Sequence, residues 1–282
     1  MHLFMILVAL GLAWFLRFTW SKPAGSWTDR YSQSISLFLF PPVLLMMTGL
    51  AVLSMGPQGR MVGLQAGWCS YLLAISFLGL VGVKCIKLGW QGWRSLQQAR
   101  TIPLLALGDR PGRVLDTPIL FAALIGFWQP ELVVSQGLLN TLPKAHLDAV
   151  IAHEQAHYYY RDTFWFFLLG WVRSCTAWLP NTEALWQELL VLRELRADRW
   201  AAQQVDPLLL AESLLMVASA PSLIPFESFC AAFSEVAQRN RLEERIEALL
   251  AEPQSPIKSK VRWSWIWFLL ALLPLAAVPF HT

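Results

Sequence analysis

Residues 142–162 read LPKAHLDAVIAHEQAHYYYRD, and much of the architecture can be worked out from this segment. Pro143 suits the first turn of an α-helix, where its missing N–H has no partner to lose. Apolar residues follow at helical spacing, at Leu147, Val150 and Ile151. The sequence therefore predicts a helix over this segment.

The predicted helix contains the pattern HExxH, formed by His153, Glu154 and His157. Residues four apart share one face of a helix, so both imidazoles can reach a single zinc ion at about 2.0–2.1 Å. Glu154 lies beside them and can act as a general base toward water. The pattern predicts a hydrolytic zinc site with one Zn²⁺ per chain.

A catalytic zinc needs a third protein ligand, and a second predicted helix offers one. The segment Glu183 to Gln203 reads EALWQELLVLRELRADRWAAQ and carries Glu194 and, one turn later, Asp198. We expect Glu194 to be the third ligand and Asp198 to hydrogen-bond a ligand histidine and fix its orientation. The alternative is that both carboxylates pair with neighbouring arginines on a solvated face.

The composition is that of a membrane protein. Hydrophobic residues make up 56% of the 282 residues and charged residues 15%, against about 45–50% and about 25% in soluble domains. This apolar content excludes disorder, and a net charge of +3 argues against nucleic acid as a partner. Four segments are long and apolar enough to cross a bilayer. They are Leu3 to Trp20, Ile35 to Met55, Trp68 to Val83 and Trp263 to Phe280.

Lysine and arginine collect after the third span, and again at Lys258, Lys260 and Arg262 before the fourth. Positive charge marks the cytoplasmic side, so we expect the N-terminus outside and the zinc site in the cytoplasm. The predicted organisation is three spans in residues 1–87, a cytoplasmic zinc domain in 88–262 and a final span in 263–282. The predicted fold is mainly α, a polytopic membrane protein with about four transmembrane helices.

A fifth apolar segment, Phe164 to Pro180, is not expected to cross, because crossing would place Glu194 on the far side of the bilayer from the histidines. Instead, we expect the HExxH helix to continue into it, to turn near Pro180 and Asn181, and to be followed by an antiparallel helix carrying Glu194. Its exposed apolar face would rest on the membrane surface or against the spans.

Two further elements are predicted around the zinc site. Ile119 to Ile125 and Leu132 to Ser135 are candidate strands of a small sheet, whose edge could hold an extended peptide substrate. The run at Ile119 could equally be a buried strand with no part in binding. Residues 232–251 carry apolar residues at amphipathic spacing and are predicted to form a helix packed on the zinc domain.

At these residues the chain resembles the integral-membrane gluzincin metallopeptidases, in particular the antirepressor type represented by the BlaR and MecR beta-lactam sensors. The resemblance covers roughly residues 127–203. It rests on the segments FWQPELVVSQGLL, AVIAHEQAHYYYRD, WLPNTEALW and RELRADRWA. It is more specific for a membrane gluzincin than for the choice between this type and the related HtpX and CAAX-protease type.

The resemblance implies a zincin-like cytoplasmic domain with His153, His157 and Glu194 as ligands, Glu154 as general base and Asp198 behind the ligands. It also implies proteolysis in signalling at a bacterial inner membrane, with a cytoplasmic transcriptional repressor as a direct or indirect target. The beta-lactam sensors carry an extracellular penicillin-binding domain after the last span, whereas this sequence ends at Thr282. We therefore expect the stimulus to arrive through a separate sensor partner or the short outer loops.

Two other functions remain open at this point. The first is a membrane quality-control protease of the HtpX type, with misfolded membrane proteins as substrate. The second is a non-catalytic scaffold stabilised by zinc, which would relay a signal by conformation. Glu154 argues against the scaffold, because a purely structural zinc site needs no general base.

Overall fold

The computed structural model describes most of the chain and is mainly helical. The described residues are 2–21, 25–58, 60–61, 64–65, 67–107, 110–219, 241–251 and 269–280.

The first third of the chain forms three apolar helices, α1 (His2–Phe18), α2 (Trp27–Met55) and α3 (Trp68–Thr101). Among the described residues, α2 and α3 are long and apolar enough to cross a membrane, whereas α1 has 17 residues and is shorter than that. Pro41 and Pro42 lie inside α2, which continues through them. Part of the predicted fourth span, residues 263–268, lies outside the described residues; its described part includes the short helix Leu273–Ala276.

The chain divides into two compact units. Unit 1 comprises Met1–Ile86, Leu169–Leu189 and Pro256–Thr282, and unit 2 comprises Lys87–Leu168 and Leu190–Ser255. The second unit thus begins one residue before the predicted domain start at 88, but the segment 169–189 falls in unit 1.

Unit 1 is built on packing between α1 and α2. Its core contains Ala13, Phe40 and Leu44, with Leu179 from the second segment of the unit. A two-residue ribbon, β1 (Arg60–Met61) paired antiparallel with β2 (Leu64–Gln65), lies in the connection between α2 and α3.

Unit 2 contains a four-stranded mixed sheet. Its strands are β3 (Leu104–Leu107), β4 (Arg110–Leu115), β5 (Ala122–Ile125) and β6 (Glu131–Ser135), in the order β3-β4-β6-β5. β4 and β6 are parallel, and the other two pairs are antiparallel. β5 and β6 fall at the two predicted strand positions, whereas the β3–β4 hairpin was not predicted. β6 is paired on both sides, so of the two predicted strands only β5 forms an edge.

Helices complete unit 2 around this sheet. They are α4 (Gln136–Thr141), α5 (Lys144–Tyr159), the first half of α6 (Asp162–Thr176), the second half of α7 (Thr182–Ala201), α8 (Pro207–Ser219) and α9 (Leu242–Leu250). α5 packs on β5 and on α8, and α8 packs on α9. Small residues of α5, Ala149 and Ala152, join Ala201 and Leu210 in one core cluster, which allows close packing around the HExxH helix.

The predicted continuation of the HExxH helix into the apolar segment is wrong in one respect. α5 ends at Tyr159, Arg161 adopts a left-handed conformation with φ of 56°, and α6 begins at Asp162. A residue in that conformation breaks the helical hydrogen-bond pattern. Asn181, with φ of 54°, lies at the predicted turn and precedes α7. Of the predicted amphipathic helix 232–251, the structure describes 241–251, where α9 lies.

Candidate metal centre

Helix α5 places the HExxH residues in the interior of unit 2. His153, Glu154 and His157 are all buried, with at most 9% of any of them exposed. As their spacing predicts, the two histidines lie on one face of the helix, and their Nε2 atoms are 3.2 Å apart. Two imidazole nitrogens therefore converge on one point.

Glu194 reaches the same point from α7. Its Oε2 lies 3.2 Å from Nε2 of His153, and its Oε1 lies 3.7 Å from Nε2 of His157. One donor atom from each residue falls within 4.8 Å of the other two. The structure thus brings together the three residues predicted to be ligands, although they are separated by up to 41 positions in the sequence.

The separations fit one tetrahedral metal ion. Zinc bonds of about 2.0–2.1 Å place tetrahedral ligand atoms about 3.3 Å apart, close to the distances within this cluster. Oε2 of Glu194 is buried and lies 3.2 Å from Nε2 of His153 and 3.4 Å from Nη1 of Arg245. Two imidazoles and one carboxylate are also a common donor set of catalytic zinc.

Each histidine is held from behind by a carboxylate. Nδ1 of His157 is 2.8 Å from Oδ2 of Asp162, and Nδ1 of His153 is 2.9 Å from Oδ1 of Asp198. A carboxylate at Nδ1 favours the proton on that nitrogen and leaves Nε2 available for a metal. Asp198 lies next to His153, the kind of neighbour expected for it, whereas the contact of Asp162 with His157 was not predicted.

Three arginines surround these acids. Arg193 contacts Oε1 of Glu194 at 2.7 Å, and Arg196 pairs with Asp162. Arg245, on α9, has its Nε and Nη2 each 2.7 Å from an oxygen of Asp198 and its Nη1 3.4 Å from Oε2 of Glu194. The predicted alternative, pairing of both acids with arginines of α7, therefore holds for Glu194, but the pairing faces the buried cluster instead of solvent.

Electrostatics separates the roles of the two glutamates. Burial raises the pKa of Glu154, and the two nearby histidines only partly offset this effect. Burial acts in the same direction on Glu194, but the positive charges of Arg193, His157 and Arg245 outweigh it and hold its pKa well below the usual range. Glu194 is therefore a permanent anion, as a metal ligand must be, while Glu154 is the more basic carboxylate.

The neighbouring charges also shift the pKa values of the two histidines. Burial alone would lower the pKa of His157, but the charge of Glu194 and the contacts with Asp162 and Glu194 raise it to about 10. Burial also tends to lower the pKa of His153, but the contacts with Asp198 and Glu194 outweigh it and raise the pKa. Both shifts come from the carboxylates that face the imidazoles, so each histidine of the cluster has an anionic partner.

Sequence reasoning missed Asp162 and Arg245. Asp162 had a local signal, since it follows the second histidine by five residues and starts a new helix. Arg245 had none, because it lies 47 residues after Asp198. His146, near the start of α5, is not part of this cluster, and its Nε2 lies 3.3 Å from Oε2 of Glu212.

The site geometry is that of a group able to hold one metal ion: two histidines and one glutamate as donors, with a second buried glutamate on the HExxH helix. Residues 112–191 match the sequence model of Peptidase family M48. The match supports a metallopeptidase, and peptidases of that family are zinc enzymes. The matched segment contains β5, β6 and the whole of α5, and it ends three residues before Glu194. No curated protein and no solved structure matches the chain.

Proposed function

We propose that the chain is a membrane-embedded zinc endopeptidase that hydrolyses peptide bonds of a protein substrate. The observation that carries this proposal is the convergence of His153, His157 and Glu194 beside Glu154. The match to Peptidase family M48 over the HExxH helix supports the same chemistry. The length and apolar character of α2 and α3 support the membrane location. The lysines and arginines that follow the third predicted span favour the cytoplasm for the metal unit.

The chain's own residues account for proton transfer. A zinc ion held by the two histidines and Glu194 would supply a Lewis acid for water and for the scissile carbonyl. Glu154 would accept a proton from the attacking water and deliver it to the nitrogen of the departing amine. Its raised pKa makes Glu154 a stronger base toward water than an ordinary carboxylate.

The edge of the sheet offers a place for the substrate backbone. β5 is the last strand in the order of the described sheet, next to β6, and it contacts α5, the helix that carries the histidines. An extended peptide can add to such an edge through main-chain hydrogen bonds, which need no particular sequence. We therefore propose that the substrate binds in extended form at this sheet, beside the HExxH helix.

Metal dependence tests this function. The chain, purified in mild detergent, is expected to cleave casein, to lose this activity with 1,10-phenanthroline and to regain it on addition of zinc. Glu194→Gln should lose both zinc and cleavage. Glu183→Gln is the matched control, since Glu183 lies on the same helix, is exposed and pairs with Arg173. Cleavage that resists the chelator, or zinc retained in Glu194→Gln, would contradict the proposal.

We further propose that cleavage serves regulation, with a cytoplasmic transcriptional repressor as target and a separate sensor as partner. The sequence pattern around HExxH supports this role. Comparing cells with and without the chain tests it: a defined set of genes should stay repressed in its absence, and one soluble repressor should stay intact. Accumulation of damaged membrane proteins without a change in those genes would favour quality control of the HtpX type.

A further inference from the structure

Four tryptophan side chains in the described part of unit 2 are exposed, although tryptophan is highly buried on average. They belong to Trp90, Trp93, Trp128 and Trp165, each with between 47% and 56% of its surface accessible. We call these four residues the indole surface. They come from three parts of the chain, the end of α3, the loop before β6 and the start of α6.

Close packing of phenylalanines beneath the indole surface joins these three parts. Phe127 lies so near the backbone of Gly92 on α3 that a Cβ atom at Gly92 would collide with its ring. The ring of Phe127 also meets Phe167 of α6 with centroids 4.8 Å apart, and Trp128 meets Phe164 at 5.2 Å. Trp128 and Trp165 both contact Phe164, and Trp90 and Trp93 contact each other on α3.

Two of the exposed indoles carry an arginine. The guanidinium of Arg94 lies 5.4 Å from the ring centre of Trp90, and that of Arg161 lies 5.2 Å from the ring centre of Trp128. A guanidinium stacked on an indole combines an apolar ring with a donor for phosphate oxygens. This pairing of apolar and cationic groups is complementary to a surface that combines hydrocarbon with anionic phosphate groups.

The position of Trp90 and Trp93 along α3 identifies that surface. α3 has 34 residues and is about 51 Å long, which exceeds the roughly 30 Å of bilayer hydrocarbon. Twenty residues counted from Trp68 end at Lys87, and Trp90 follows about 4.5 Å further along the axis. Tryptophan is enriched at this depth, in the layer of phospholipid headgroups and glycerol.

We propose that the indole surface binds the headgroup and glycerol layer of the bilayer that α3 crosses. The indoles lie in the glycerol layer, and Arg94 and Arg161 donate hydrogen bonds to the phosphodiester groups. The surface thereby holds unit 2, with its metal centre, against the membrane. This inference rests on the membrane location proposed above.

Photocrosslinking in lipid tests the inference. p-Benzoylphenylalanine replaces Trp128 or Trp165 one at a time in the full chain, reconstituted in vesicles of phosphatidylethanolamine and phosphatidylglycerol. After irradiation, mass spectrometry identifies any adduct. Gln203 is the control position, since it is exposed and polar in the same unit, and Ile86 on the apolar part of α3 is the positive control.

The expected result is a mass increase of one phospholipid at positions 128, 165 and 86, and several-fold less at position 203. Adducts at 86 without adducts at 128 and 165 would overturn the inference and leave the membrane location standing. Crosslinks from 128 or 165 to a protein, including a second copy of this chain, would overturn it too, as would equal lipid labelling at 203. Absence of lipid adducts at every position, 86 included, would remove the membrane location and the inference together.

Discussion

Arg245 holds Asp198 in a two-point ion pair, with Nε and Nη2 of the guanidinium each 2.7 Å from a carboxylate oxygen. Both residues are almost completely buried. Asp198 lies in turn 2.9 Å from His153, so the positive charge on α9 is connected to an imidazole of the metal cluster through a single carboxylate. The pairing raises the pKa of Arg245 and lowers that of Asp198, although burial acts against both shifts.

Arg245→Gln should destabilise the protein strongly. The change leaves the buried carboxylate of Asp198 without its cation, and breaking a buried pair in this way costs about 3–5 kcal/mol. Unfolding of the detergent-solubilised chain by heat or denaturant measures the loss. Arg199→Gln is the control, because Arg199 is exposed on α7 and its change should stay within about 0.5 kcal/mol. Equal stability of the two variants would show that the pair contributes nothing.

Asp162→Ala should weaken zinc binding about 10- to 100-fold, because carboxylates that orient a ligand histidine have effects of this size. The variant removes the contact that holds Nδ1 of His157. Competition with a chromogenic chelator gives the zinc dissociation constant. Asp148→Ala, at an exposed position of α5, should bind zinc like the wild type. An unchanged affinity in Asp162→Ala would mean that His157 needs no support from this side.

Removal of metal should lower the unfolding temperature. A ligand that binds only the folded state adds about 2.7 kcal/mol at a free concentration 100 times its dissociation constant. We therefore expect added zinc to raise the melting temperature of the metal-free chain, but not that of the double variant His153→Ala/His157→Ala. His146→Ala should still respond, since His146 pairs with Glu212. A zinc response that survives in the double variant would place the metal elsewhere.

Gly137→Ala should destabilise unit 2, because a Cβ atom there would collide with the backbone carbonyl of Pro118. Backbone cannot rotate away as a side chain can, so we expect a loss of about 1–3 kcal/mol. Gly89→Ala is the matched control, since nothing lies within 4 Å of the added atom and alanine favours helix. Thermal unfolding of both variants checks the difference. A melting temperature for Gly137→Ala at or above that of the control would show that α4 moves freely.

The parts of this fold that the sequence predicts are those governed by local spacing. The i, i+4 spacing of His153 and His157 and the apolar residues before them are enough for α5, which spans 144–159 against a predicted 142–162. β5 and β6 lie at the predicted strand positions, which short apolar runs in the sequence mark. The convergence with Glu194 followed from the chemistry of zinc, which requires a third ligand, and not from any pattern linking the two helices.

The remaining features depend on contacts between distant residues, which a single sequence does not display. The parallel pairing of β4 with β6 joins Val114 to Val134, and no turn motif links them. The break at Arg161 places Asp162 next to His157, and this contact exists only in the folded site. Arg245 follows Asp198 by 47 residues. Its neighbours in the sequence therefore indicate only the polar face of an amphipathic helix, not an ion pair with Asp198. The roles of the site residues remain predictions until metal and activity are measured.

Substitution of Glu154 by Gln separates peptide hydrolysis from a purely structural zinc site. Zinc content and casein cleavage are measured together on the purified wild-type and variant chains. We predict one zinc per chain in both and cleavage only in the wild type, because Gln keeps the shape of Glu154 but cannot accept the proton from water. Cleavage at the wild-type rate by a zinc-loaded Glu154→Gln chain would contradict the assignment of Glu154 as general base and, with it, the proposed mechanism.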